Sequence, residues 1–96
     1  MTVRFLSTAE VELKEAAEYY EAAEVGLGAR FLDEVDAAKQ RIAQHPLAWA
    51  RLSLRTRRCF VHRFPFGLLY QVRSSEILIV AVADLRRDPK RWEELL

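Results

Sequence analysis

Hydrophobic periodicity changes once along this chain, from three- and four-residue steps before His45-Pro46 to short β-branched and aromatic runs from Arg57 onward. Such a chain has to lay one-sided helices on a sheet, because neither an apolar helix stripe nor an apolar sheet face is stable in water alone. In the first half, Leu13, Ala16, Ala17, Tyr20 and Ala23 fall on one side of a helix, with Glu12, Glu15, Glu18 and Glu21 mostly on an acidic outer face. Ser7 and Glu10 have the spacing of a capping box at its start. After Gly26-Leu27-Gly28, the residues Phe31, Val35, Ala38 and Ile42 mark a second helix that ends at His45-Pro46. The short connection predicts an antiparallel helical hairpin.

Extended segments are predicted at 3–6, 57–64, 68–73 and 77–83. Pro65-Phe66-Gly67 and Ser74-Ser75-Glu76 separate the last three, and links this short make an antiparallel meander. The run from Ile77 to Ala83 is apolar on both faces, as suits a central strand whose far face is also partly covered. Asp88-Pro89 can open a short terminal helix anchored by Trp92. The expected fold is α+β in the order β-α-α-β-β-β: a helical hairpin on a small twisted antiparallel sheet, with a short C-terminal helix. Ninety-six residues support one core, so residues 1–96 are expected to form one domain.

Composition narrows the function. The single cysteine, Cys59, can form no internal disulfide, and no positively charged leader precedes an apolar run, so the expected compartment is the cytoplasm. The apolar run 77–83 is far shorter than the roughly 20 residues of a membrane span, and no membrane role is expected. Cys59 and His62 have no second pair to complete a zinc site, and the three glycines make no phosphate loop, so neither metal nor cofactor is expected. No Ser or Cys finds both a His and an orienting carboxylate. Hydrophobic residues nevertheless make up 51% of the chain, high enough in so small a domain to leave apolar surface for a partner.

The net charge of +1 conceals an asymmetry. Residues 1–48 carry five basic and nine acidic side chains, whereas residues 49–96 carry ten and five. Polarised charge orients an approaching macromolecule even at low net charge. Arg51, Arg55, Arg57, Arg58 and Arg63 lead into the first strand of the meander, and Arg86, Arg87, Lys90 and Arg91 follow its last. Guanidinium groups bind phosphate or carboxylate in bidentate fashion. Most of the interleaved aromatics, among them Phe60, Phe64, Phe66 and Tyr70, have the spacing of core residues instead.

The punctuation of this order is distinctive: Glu12-Leu13-Lys14-Glu15-Ala16 with Tyr19-Tyr20, Gly26-Leu27-Gly28 with Phe31-Leu32, and Arg63-Phe64-Pro65-Phe66-Gly67 with Tyr70-Gln71-Val72. Ala81-Val82-Ala83 then leads to Arg86-Arg87-Asp88-Pro89 and Trp92. In this combination the chain resembles the ParE/RelE superfamily of bacterial type II toxins over nearly its whole length. The resemblance implies a cognate antitoxin that wraps the domain, with DNA reached only through that antitoxin. RelE-like members cut mRNA on the ribosome with basic side chains on the sheet and a tyrosine near the C terminus; ParE-like members poison DNA gyrase. Here Gly67 stands where the former carry an arginine, Trp92 stands where the tyrosine is expected, and the lysine pair before the meander is absent. An indole is no practical proton shuttle. The resemblance therefore favours a ParE-like binding toxin directed at gyrase, with Arg57, Arg58, Arg63, Arg86, Arg87, Lys90, Arg91 and Trp92 as its target or antitoxin surface. The alternatives are an mRNA interferase acting at the ribosome, using Arg58 and His62 on one strand face with Arg86, and a non-toxic scaffold in a repressor complex.

Overall fold

The structure, a computed structural model, describes residues 1–87. The elements are β1 (Thr2–Phe5), α1 (Ser7–Ala23), α2 (Leu27–Gln44), β2 (Arg57–Phe60), β3 (Phe66–Val72) and β4 (Glu76–Asp84). The α+β order is the expected one, and the anticipated terminal helix lies outside the described residues. In the sheet the strands run β1-β4-β3-β2. The meander β2-β3-β4 is antiparallel as read from the sequence, but β1 pairs parallel with β4, from Thr2 opposite Glu76 to Phe5 opposite Ile79, so the sheet is mixed. Parallel pairing is available because the whole hairpin and two strands separate β1 from β4, ample chain for a crossover.

The capping box between Ser7 and Glu10 does not form. Leu6 is the N-cap residue of α1 and makes no side-chain cap bond. Its own N–H still belongs to the sheet, donating to the Ile79 carbonyl at 2.8 Å, so the chain passes from strand into helix one residue before the expected cap. Glu10 remains in the first turn, where its charge favours the positive end of the helix. The link to α2 is held from within: the Glu21 carboxylate accepts the N–H groups of Gly26 and Gly28, at 3.0 to 3.1 Å. Gly26 has φ 88°, a left-handed turn that costs a glycine little. At Gly28 a Cβ would lie 2.7 Å from the Ala17 carbonyl oxygen, so the two helices meet where a side chain is missing.

Phe31, Val35, Ala38 and Ile42, the stripe read from the sequence, are all buried against the sheet. Tyr20, Phe31, Phe64 and Phe66 form an aromatic knot there, with Tyr20–Phe64 centroids 4.8 Å apart and Phe31–Phe66 centroids 5.1 Å apart. Each fully buried large side chain in this layer stabilises the fold by roughly 1.5–3 kcal/mol before entropy is counted. A second cluster of Leu69, Leu78, Val80, Ala81 and Ala83 covers the far face, with Leu6, Leu52 and Leu85 against it. A bulge explains the double-faced run in β4: Tyr70 faces Ile79 and Leu69 faces Ala81, leaving Val80 without a partner. Val80 and Ala81 both join the far cluster, and Val82 returns to the helix side.

Two expectations about the first meander strand are corrected. β2 ends at Phe60, not Phe64, because Arg63 adopts φ 71° and the Val61 N–H turns to the Phe66 carbonyl at 2.9 Å. Phe60, expected in the core, is exposed and carries the Arg58 guanidinium 4.5 Å from its ring centroid.

Candidate functional site

β1 is shorter than β4, and that mismatch makes the site. Only Glu76–Ile79 of β4 are paired with β1, so beyond Ile79 the strand presents an edge to no neighbour among the described residues. α1 passes above it. The Glu12 carboxylate, mid-helix, reaches down and accepts the Val82 N–H at 2.9 Å, satisfying one edge donor with a side chain in place of a strand. Between helix and edge lies an open groove of about 640 Å³. Glu12, Glu15, Ala16 and Tyr19 form its helical wall; Phe66, Val82, Ala83 and Asp84 its floor; and Arg86 and Arg87 its end.

Asp84 organises the basic end. Arg86 donates from Nε and Nη2 to the two carboxylate oxygens at 3.1 and 3.0 Å, and its backbone N–H donates to Oδ1 at 3.0 Å. Arg87 Nε lies 3.7 Å from the same carboxylate. These hydrogen bonds, above all those from the Arg86 side chain, hold the Asp84 carboxyl below its ordinary range against the opposing effect of burial. Tyr19 is 62% exposed beside the groove, with its ring edge-on to Tyr20 at 5.3 Å. The Tyr20 hydroxyl is buried without a hydrogen-bond partner among the described residues; burial pushes its pKa up, and the Arg86 charge opposes that rise.

Of the residues expected to form the binding surface, Arg86 and Arg87 reach this groove; the others within the described chain lie elsewhere. Arg57 is a loop anchor: its Nη1 donates to the carbonyls of Leu47 at 3.1 Å and Trp49 at 2.8 Å. Arg58 lies on the opposite sheet face, its stem over Gly67, where a Cβ would come within 3.1 Å of the Arg58 Cγ. Arg63 sits in the exposed turn and pairs with Glu34 at 3.4 Å. His62 is in that turn too, beyond the end of β2, so it shares no strand face with Arg58, and the grouping of Arg58, His62 and Arg86 expected for an interferase is not built as read. Lys90, Arg91 and Trp92 lie outside the described residues. Cys59 faces the helices and is buried, which pushes its thiol pKa up.

Sequence reasoning missed Glu12, Glu15 and Tyr19 as groove residues, treating the glutamates as an acidic outer face. The one available signal was the unequal length of the first and last extended segments, which implies an uncovered stretch of the longer strand.

A family model described as the ParE toxin of type II toxin–antitoxin system, parDE, matches residues 3–89. Among solved structures, the chain is similar to one titled as the chromosomal ParDE TA system from P. aeruginosa, with a TM-score of 0.65 at 15% sequence identity, over 88% of this chain and 96% of that one. At that identity the likeness is one of fold. No curated protein matches. The family match spans both helices, all of the sheet but Thr2, and the Arg86-Arg87 tail, and on it the chain belongs to the ParE family of toxins of type II toxin–antitoxin systems.

Proposed function

We propose that this chain is a toxin whose antitoxin seats a segment in the groove between α1 and the open edge of β4, and that it acts by binding DNA gyrase and not by cutting RNA. The observation that carries the first part is the length of β4 beyond Ile79 that no described strand pairs on this edge, with Glu12 on its Val82 N–H. An extended segment can add to such an edge, and the apolar part of the floor, Phe66, Val82 and Ala83, offers it side-chain pockets between charged walls. Membership of the ParE family and the ParDE likeness support an antitoxin partner. Binding rather than hydrolysis is supported by the location of the expected catalytic groups. RNA cleavage needs a base at the 2′-hydroxyl and cations at the phosphate. His62 in its turn is removed from the face that carries Arg58, and Arg86 is committed to Asp84.

Purified full-length chain added to a DNA gyrase supercoiling assay tests the target. Loss of supercoiling or trapped cleaved DNA, reversed by the protein encoded beside this gene, is the expected outcome. An untouched gyrase together with cut mRNA on translating ribosomes would instead make the chain an interferase. Normal growth of bacteria that express folded chain alone would point to a scaffold without toxicity.

A further inference from the structure

Away from the groove, the loop before β2 and the end of β3 bring four arginines around one depression of about 550 Å³: Arg51, Arg55, Arg57 and Arg73. The register explains their meeting. Arg51 forms an antiparallel bridge with Arg57, and Arg57 lies opposite Tyr70 on β3, three residues before Arg73. Among the described residues no aspartate or glutamate lines this basin. Elsewhere the exposed arginines Arg4, Arg30, Arg63, Arg86 and Arg87 each face a carboxylate, but among the described residues none of the basin four has an ion pair. Arg57 is occupied by backbone carbonyls and Arg73 by the Gln71 amide oxygen at 2.9 Å, both neutral groups that take up no charge, although Arg73 also attracts the Glu76 carboxylate that Arg4 holds.

Leucines share the basin with the charge: Leu54 is 84% exposed and Leu47 67%. The rim is fixed before any ligand arrives, because Leu52 N–H donates to the Thr56 carbonyl at 2.8 Å and buried Thr56 Oγ1 accepts from Gln71 Nε2 at 3.2 Å. A preformed rim lowers the ordering cost of binding. We infer that this basin is a second docking surface, separate from the α1–β4 groove, for an acidic protein segment with at least two carboxylates flanking an apolar side chain. A phosphate backbone would answer the arginines and leave both leucines in water; a carboxylate-bearing apolar segment answers both.

Panning a random dodecapeptide library against the full chain in about 0.15 M salt provides the test, since surface pairs weaker than that screening are removed. Recovered peptides are expected to carry paired Asp or Glu around an apolar residue. Their affinity is expected to fall about tenfold in Arg51→Glu and Arg55→Glu and severalfold in Leu54→Ser. Lys14→Glu, the same change of net charge on the exposed face of α1, leaves it unaltered. Circular dichroism of each variant confirms the fold. The inference is overturned by an absence of such peptides, by binding indifferent to the basin substitutions, or by a short DNA duplex that binds the basin through Arg51 and Arg55 without dependence on Leu54. The outcome does not depend on gyrase or on an antitoxin in the groove.

Discussion

Glu12 and Val82, seventy residues apart in sequence, are joined by a carboxylate that accepts a backbone N–H at 2.9 Å and so ties the helical hairpin to the open edge of β4. The bond satisfies a donor that would otherwise wait for a neighbouring strand, and it holds the mouth of the groove in place. Removing the acceptor in Glu12→Ala leaves that donor to solvent and is expected to destabilise the fold by about 1 kcal/mol. Glu12→Gln, whose amide oxygen still accepts, is expected to lose clearly less. Urea denaturation of both variants checks this, and equal losses would mean that the carboxylate contributes mainly through its charge.

At Gly28 α2 packs tightly against α1. An alanine there would place a Cβ 2.7 Å from the Ala17 carbonyl oxygen and 3.0 Å from the Glu21 Cβ. The first of these neighbours is backbone, so the helices themselves must separate. Overpacking of this kind costs roughly 1–3 kcal/mol, against about 1 kcal/mol gained from alanine's helix propensity. Gly28→Ala is therefore expected to lower the thermal midpoint. Gly26→Ala also destabilises, for another reason: φ of 88° costs an L-residue about 1–2 kcal/mol even though nothing crowds its Cβ within 4 Å. Gly26→Asn, better suited to left-handed backbone, is expected to recover part of that loss, whereas no residue larger than glycine recovers Gly28.

The fold was legible because its strongest signals are local. The spacing of Phe31, Val35, Ala38 and Ile42 allows one helix face, and the turns at Pro65-Phe66-Gly67 and Ser74-Ser75-Glu76 leave little choice but a meander. The features that escaped depend on register between distant segments. Nothing near Thr2 announces that β1 runs parallel to β4, and nothing near Val80 marks it as the unpaired residue of a bulge. Side-chain destinations escaped for a related reason: Glu12 and Glu21 look like two more members of a solvated acidic face, yet each closes a backbone donor elsewhere. Arg57 looks like a solvated side chain, yet it donates to the loop carbonyls of Leu47 and Trp49. Arg51, Arg55 and Arg73 become a basin only after β2 and β3 are paired.

Asp84 governs how Arg86 and Arg87 are displayed at the end of the groove. Its carboxyl is held below the ordinary range, so its contribution to stability is present above the unfolded carboxylate pKa and is lost as pH falls through the depressed folded value. Asp84→Asn removes that dependence. The stability gap between wild type and variant is expected to be full near neutral pH and to close in acid. Hydrogen exchange at the Arg86 amide, which donates to Asp84 Oδ1, is expected to quicken in the variant. If antitoxin reads the two guanidinium groups in their Asp84-bound position, affinity falls in Asp84→Asn as well as in the double reversal Arg86→Glu and Arg87→Glu. Affinity unchanged in both variants would place the antitoxin away from this end of the groove.

Tyr70 makes the opposite pH prediction. Its ring is fully buried in β3, and its hydroxyl donates to the Pro46 carbonyl at 2.6 Å, pinning the loop that follows α2. Burial, partly opposed by Arg57, pushes its pKa from 10.0 up to about 12. A phenol whose folded pKa exceeds the unfolded one contributes stability that is complete below the unfolded value and is lost as pH rises towards the folded one. Between about pH 10 and 12 the loss attributable to this residue approaches 2–3 kcal/mol. Tyr70→Phe cannot ionise, so it begins less stable by about 1 kcal/mol for the missing hydrogen bond but escapes this alkaline term. The two denaturation curves are therefore expected to converge and then cross as pH is raised. Ultraviolet titration supplies the second check: burial raises both Tyr20 and Tyr70, so the native wild type should show two late phenols and the variant one. A Tyr70 phenol that ionises near 10, the ordinary value for tyrosine, would show that the bond to Pro46 is open in solution and that the loop before β2 is not fixed by Tyr70.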